Sequence, residues 1–399
     1  MDDHLARVIG ERIRFYRAAA YKTKTVVAGL AGITPDYLYQ IERGQKLPTV
    51  AVLAQLSDVL RVELGDLLGR ASKEAYQRAS GYAADAIYRA LTGPLPSAAA
   101  PPPLAAVRQG VIDAWETWQT SPYRYSTLTT TLPGLIADTE AAVRAASRLH
   151  LRAAHGCAAD LYGLVRTVTK RIGRGDLSLL AADRAVRAAE AADDPIRQAG
   201  ACWNLAQVLL ADHQAEGTQD VAMRAADQLQ PLIGQDNKDA MALRGSLLLV
   251  AAIAAARHGD GWAARDRLHQ AAPLAKQTGE RNTCWTAFGP TNVAMHAVSI
   301  EVETGEAVEG LRLAERVEHN RSPSIERRVA FLVDHAKGYQ QRRDYASALL
   351  VLQTAEVEAP EDVRYRPAAH QVLRAVAERA RRSVAMQAVR FARRLGLPV

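Results

Sequence analysis

Apolar positions recur three and four residues apart along nearly the whole chain, and β-branched residues alternating with a period of two are almost absent. That periodicity predicts helices throughout, so an all-α protein is expected. Near the N-terminus Val27, Leu30 and Ala31 form a helical face that ends at Gly32. A second helix opens with Thr34 in the capping position and Pro35 at its first turn. Within it Leu38 and Ile41 share one face while Asp36, Tyr37, Tyr39 and Gln40 point elsewhere, which separates packing positions from positions free to touch a partner. Two short helices meeting at a glycine turn have the geometry that places the second in a major groove, so DNA binding is expected.

Farther along, helical hairpins repeat, and their turns mark the period: GRGD around Gly175, AEG at Gly217, RHGDG at Gly259, ETGE at Gly305 and RRDY at 342–345. The first three glycines are 42 residues apart and the next interval is 46, spacings that predict an α-solenoid. The division is therefore a five-helix helix-turn-helix domain over 1–70, a connector over 71–103 and a repeat domain over 104–399. The connector reads as a helix over 72–92 followed by GPLPSAAAPPP, whose prolines favour an extended spacer.

The first helix of each hairpin should line the inner wall of a solenoid, where peptides or small molecules bind. Counting thirteen residues back from the turn glycines reaches Tyr162, Asn204, Ser246 and Asn292, a repeated polar position among alanines and leucines. Asparagine amides there can donate to and accept from a peptide backbone. Trp203, Trp285, Phe288 and His296 lie on the same segments and complete a candidate ligand pocket, with Gly289 and Pro290 expected to kink or restart the helix over 285–303. The same asparagines and tryptophans also suit contacts between neighbouring repeats, and both readings stay open at this point.

The N-terminal stretch resembles the phage-repressor (Xre-type) helix-turn-helix family through Ala28, Gly32, Ile33, Thr34, Leu38, Ile41, the run IERG at 41–44, Pro48 and the apolar positions from Leu53 to Leu68. The resemblance implies that Asp36, Tyr37, Tyr39 and Gln40 face base edges and that Thr23, Lys24, Arg43 and Lys46 touch phosphates. With Thr34 at the helix start these form the expected DNA-binding set. The family commonly carries glutamine where Lys24 stands, a departure at one phosphate position. It also implies a scaffold pair between Arg17 and Glu42. The segment YQQRRDYASALLVLQTAEVEAP resembles a tetratricopeptide repeat through Tyr339, Asp344, Tyr345, Ala348, Leu352, Ala355 and Pro360. A repressor-type reader followed by such repeats resembles the intracellular signal-sensing regulators of Gram-positive bacteria. That implies a homodimeric transcription regulator on a palindromic operator, gated by a signalling peptide or small molecule. Docking of a protein partner on the repeats is the alternative.

Composition changes this picture little. The formal charge of +7 suits a nucleic-acid partner, but residues 1–70 hold ten Lys/Arg against eight Asp/Glu, so the reading domain alone is weakly basic and should need a dimer to bind well. Cys157, Cys202 and Cys284 are distant and lack a CxxC spacing, which argues against a disulfide framework or a zinc site and for a reducing compartment. The longest apolar run, LLLVAAIAAA at 247–256, is about half a membrane span, so a cytoplasmic protein without membrane contact is expected. Neither a Walker, GxGxxG, GxSxG nor HExxH motif occurs, and no enzyme activity, cofactor or metal is expected.

Overall fold

The computed structural model describes residues 2–20, 22–62, 64–68, 84–93 and 102–397. Among these the protein is all-α, with one isolated bridge between Arg281 and Phe288 and no strand. The chain divides into two compact units, Met1–Ser80 with His370–Val399, and Gly81–Ala369. This grouping places the last thirty residues with the N-terminal helices, whereas the sequence division assigned them to the repeats. Most of the expected connector, 71–83 and 94–101, lies outside the described residues; 84–92 is helical.

The first unit opens with five helices: α1 (Asp2–Ala19), α2 (Lys24–Leu30), α3 (Pro35–Glu42), α4 (Val50–Leu60) and α5 (Leu64–Leu67). Three of them begin with a threonine cap. The hydroxyls of Thr23, Thr34 and Thr49 accept from the amides of Val26, Tyr37 and Val52 at 3.3, 3.2 and 3.3 Å, which satisfies amide donors that an uncapped helix start leaves bare. Ile9, Ile13, Val27, Ala28, Leu38, Ile41, Leu53, Leu56 and Leu60 fill the core between the helices. α1 and α3 approach closely at Gly10, where a Cβ would sit 2.1 Å from the Ile41 carbonyl oxygen. Glycine is required there by contact distance rather than by backbone conformation.

After helix α6 (84–92), the second unit is a row of hairpins: α7 (Leu104–Thr120) with α8 (Arg124–Ala145), α9 (Leu151–Arg171) with α10 (Gly175–Ala192), α11 (Pro195–Ala211) with α12 (Ala215–Gln228), and, after the short α13 (Gln230–Ile233), α14 (Lys238–Arg257) with α15 (Gly261–Thr278). Then follow α16 (Pro290–Glu303) with α17 (Ala307–Ala314), α18 (Ile325–Gln341) with α19 (Tyr345–Glu358), and α20 (Pro360–Arg364). α21 (Pro367–Arg379) and α22 (Arg382–Leu395) complete the described helices. First helices of successive hairpins touch one another, and α7 also touches α18, so the row turns back on its own beginning. Alanine makes the close spacing possible: Ala206, Ala222, Ala226, Ala240, Ala251, Ala252 and Ala264 are buried where the hairpins from α11 to α15 meet. α14 is long and apolar enough to cross a membrane, but 89% of its apolar window is buried inside this unit.

The turn residues correct the repeat register. Backbone in the left-handed region occurs at Gly173, His213, Gly259, Gly305 and Arg343. Gly259 and Gly305 are turn glycines as expected, but Gly175 opens α10 and Gly217 lies inside α12. Counted from the true turns, Tyr162 stands eleven residues back and Asn204 nine, against thirteen for Ser246 and Asn292. At about 100° per residue, a two-residue offset puts Tyr162 on the opposite side of its helix from the position that Ser246 occupies.

Candidate functional site

Helix α3 has the division of faces that a reading helix needs. Leu38 and Ile41 are buried, whereas Asp36 and Tyr39 are exposed and Tyr37 and Gln40 half-buried. The polar side chains are arranged in pairs along the helix. Gln40 Nε2 donates to Asp36 Oδ2 at 3.0 Å, and an Arg43 guanidinium nitrogen donates to the Tyr39 hydroxyl at 2.8 Å. Cations flank the tyrosine rings, with Lys24 Nζ 4.4 Å from the Tyr39 centroid and Lys46 Nζ 5.8 Å from that of Tyr37. Thr23 and Thr34 cap α2 and α3, so each hydroxyl is engaged in helix geometry. The expected nine DNA-binding residues thus share the neighbourhood of α3, and the amide of Gln40 is the group suited to a bidentate contact with a base edge.

The scaffold pair implied by the sequence is present. Arg17 spans Glu42 with Nε and Nη2 at 2.5 and 3.0 Å from the two carboxylate oxygens, and Nη1 donates to the Lys22 carbonyl at 3.1 Å. Glu42 is buried at the end of α3, and Arg17 lies in the last turn of α1. The pair therefore ties α3 to α1, and Lys24 Nζ adds a second positive charge 3.9 Å from the same carboxylate.

Residues 8–71 match a helix-turn-helix domain family. Over 62 residues the chain is 36% identical to the uncharacterized HTH-type transcriptional regulator YazB of Bacillus subtilis (strain 168), covering 16% of this chain and 90% of that protein. The chain belongs to the helix-turn-helix transcriptional regulators. Among solved structures, this transcriptional regulator is similar to PlcR of Bacillus thuringiensis, solved in complex with the peptide PapR7 and DNA, at 12% identity and a TM-score of 0.29 over 68% of this chain and 95% of that one. It is also similar to the apo form of ComR from S. thermophilus, at 13% identity and a TM-score of 0.25 over 90% of this chain and 97% of that one.

A second candidate site of the regulator lies inside its repeat unit. Trp115 of α7, Trp203 and Gln207 of α11, the 279–289 segment through Trp285, and polar residues of α9 and α18 line a partly open cavity, about 390 Å³ when the open solvent at its mouth is included. Arg166, Lys170 and Arg171 enter from α9, Glu326 and Arg327 from α18. Arg171 Nε donates to Glu326 Oε1 at 3.1 Å. Burial alone would raise the Glu326 carboxyl, but Arg171, Arg366, Arg327 and Arg124 outweigh it and hold it well below the ordinary range. The other three cations make no ion pair among the described residues. Arg166 is buried, donates to Asn204 Oδ1, and leaves its Nε without a partner. Lys170 donates to the carbonyl and side-chain oxygens of Gln207 at 2.9 and 3.3 Å. Burial, with the like charges of Arg171 and Arg166, pushes its amine well below the usual lysine range. The guanidinium carbons of Arg166 and Arg327 lie 5.5 and 5.7 Å from the Trp203 ring centroid.

The 279–289 segment shapes this cavity. Trp285 stacks on Trp115 with centroids 5.3 Å apart, and the amides of Asn282 and Gln119 bond each other. Cys284, Trp285 and Ala287 hold φ of 45°, 62° and 51°, conformations costing about 1–3 kcal/mol each outside glycine. Phe288 anchors the far end; it is fully buried against α14, where a Cβ on Gly245 would meet its ring at 2.0 Å. Burial pushes the Cys284 thiol up to about 12, which leaves it protonated.

Of the eight expected ligand residues, Trp203 and Trp285 line the cavity, and Asn204 reaches it through Arg166. The rest lie elsewhere in the packing. Tyr162 bonds Glu140, Ser246 Oγ donates to the Ala242 carbonyl at 3.0 Å, and Phe288 is core. α16 begins afresh at Pro290, which puts Asn292 and His296 on a new helix where both are buried. His296 Nδ1 is 2.8 Å from the Asn292 carbonyl, and burial together with Arg327 lowers the ring to about 3, so it is neutral. Arg166, Lys170 and Arg171 of α9 were not among the expected ligand residues, because no motif or local spacing in the sequence ties them to a shared site.

Proposed function

We propose that the protein is a sequence-specific, homodimeric transcription regulator whose α3 reads a palindromic operator and whose repeat unit binds a signal, a peptide or a small molecule, that changes operator affinity. The observation that carries the DNA-reading part is the single exposed face of α3, where Gln40, Asp36 and Tyr39 sit among Lys24, Arg43 and Lys46 above a buried Leu38 and Ile41. A net charge of only +2 over residues 1–70 favours two heads on two half-sites, about 34 Å apart, over one. The cavity, where Arg166, Lys170 and Arg327 make no direct ion pair among the described residues, supports the sensing part, because a signal must bind two arrangements with different affinity to act as a switch.

The test is selection of genomic DNA fragments by the purified protein, followed by gel shifts on the best fragment with and without a low-molecular-weight cell extract. A palindromic site whose occupancy changes with extract supports the whole reading. A site indifferent to extract removes the small signal and leaves a protein partner on the repeats. Absence of any site overturns operator reading itself.

A further inference from the structure

We propose that the repeat-unit cavity binds a small anion carrying at least two negative charges beside a flat ring, the chemistry shared by nucleoside monophosphates and aromatic dicarboxylates. This rests on the signal-sensing reading above and selects a compact anion from the two kinds of signal considered there.

The argument begins with charge. Four cations and one carboxylate line the cavity, and the carboxylate is already held by Arg171 and by the Trp118 indole nitrogen at 3.3 Å. Arg166, Lys170 and Arg327 make no direct ion pair among the described residues, and Glu326 is the one carboxylate whose charge reaches all three. Removing charges from water without partners is costly, and buried guanidinium groups in folded proteins are paired. The missing partner is therefore an anion from outside the chain. Arg166 has a definite place for it, because its Nε is buried and bonded to nothing. Guanidinium groups favour planar, bidentate acceptors such as carboxylate and phosphate. Two charges match the two guanidinium groups, Arg166 and Arg327, that remain once Arg171 is paired with Glu326, with the Lys170 amine beside them.

The ring follows from the walls. Trp203 lies beneath Arg166 and Arg327, and the half-buried Trp285 covers the other side, backed by its stack on Trp115. Indole faces and guanidinium planes accept a flat ring by stacking. The 279–289 segment, tied to α7 through Asn282 and Trp285, closes one side of the cavity, which is partly open to solvent.

Calorimetric titration of the full-length protein without DNA tests this, using adenosine monophosphate and phthalate as the two ring anions and adenosine as the neutral counterpart. At least one anion should saturate one site per chain while adenosine does not bind at the same concentration; which of the two binds distinguishes the sources. Arg327→Gln and Lys170→Gln should each weaken binding about tenfold or more. Trp262→Phe, on the exposed surface of α15, should leave binding intact and lower the background for a parallel tryptophan-quenching titration. Circular dichroism melts establish that each variant is folded, and either variant suffices. If neither anion binds, or if binding is indifferent to both substitutions, the proposal is overturned. Operator affinity is measured separately. Anion binding that leaves operator affinity unchanged sinks the switch and keeps the site; operator affinity that responds to extract while neither anion binds sinks the site and keeps the switch.

Discussion

Trp285 lies flat against Trp115, with ring centroids 5.3 Å apart and planes only 7° from parallel, across 170 residues of sequence. The stack holds a segment whose own backbone opposes its conformation, since Cys284, Trp285 and Ala287 all sit in the left-handed region. Trp285→Ala removes the anchor and keeps the strain. A loss of about 2 kcal/mol is expected, with hydrogen exchange rising in 279–289 well before the hairpins open. Unchanged exchange in that segment would show that Phe288 alone holds it.

The bidentate contact of Arg17 with Glu42 joins α1 to α3 in a largely water-free position. Glu42→Gln leaves the arginine without its counter-charge. Arg17 keeps some solvent access, so the cost should fall near the lower end for a broken buried pair, about 3 kcal/mol. The first unit should then melt earlier, and operator affinity should recover on cooling. Loss of affinity that persists at low temperature would instead make Glu42 part of the reading surface.

Legibility in the sequence followed the range of the interactions. Thr34, Pro35 and Gly32 act within a few residues of one another, so the start of α3 and the turn before it were readable directly, as was the burial of Leu38 and Ile41. The repeat unit was readable as hairpins, but its register was not. Arg343 adopts the left-handed conformation within the expected RRDY turn, but in the hairpin of α11 and α12 it falls on His213 rather than on a glycine, while Gly175 and Gly217 lie in helices. The cavity depends on contacts such as Arg171 with Glu326, 155 residues apart, and on a loop carrying Trp285 ahead of a helix that restarts at Pro290, where a kink or a restart was expected. No local pattern announces either.

On the proposed operator reading, the side chains of α3 separate two kinds of DNA contact. Gln40→Ala removes the amide able to pair with a base edge, so it should cost about 1–3 kcal/mol at one operator position and relax specificity there. Lys46→Ala removes a charge at the rim, so it should weaken all sites alike and reduce the salt slope by about one. Affinity over a set of single-base operator variants, at two salt concentrations, distinguishes them. A uniform loss for Gln40→Ala would assign that residue to the backbone instead.

His296 makes the repeat unit acid-sensitive in a definite range. Its ring titrates near 6.5 when free and near 3 when folded, lowered first by burial and then by the positive charge of Arg327. Between those values the unfolded chain binds the extra proton and the native state does not, so stability rises with pH and is lost as pH falls. The slope approaches about 1.4 kcal/mol per pH unit. Between about pH 7 and pH 5, above the ordinary carboxylate range, this histidine should dominate the difference between the protein and a His296→Gln variant, whose amide can still donate to Asn292 without taking up a proton. Denaturation midpoints measured across that interval should fall with acid in the parent and fall less steeply in the variant, where His335, also lowered by burial, still contributes. Parallel curves would mean that the ring is charged in the folded protein and that Arg327 already has an anionic companion.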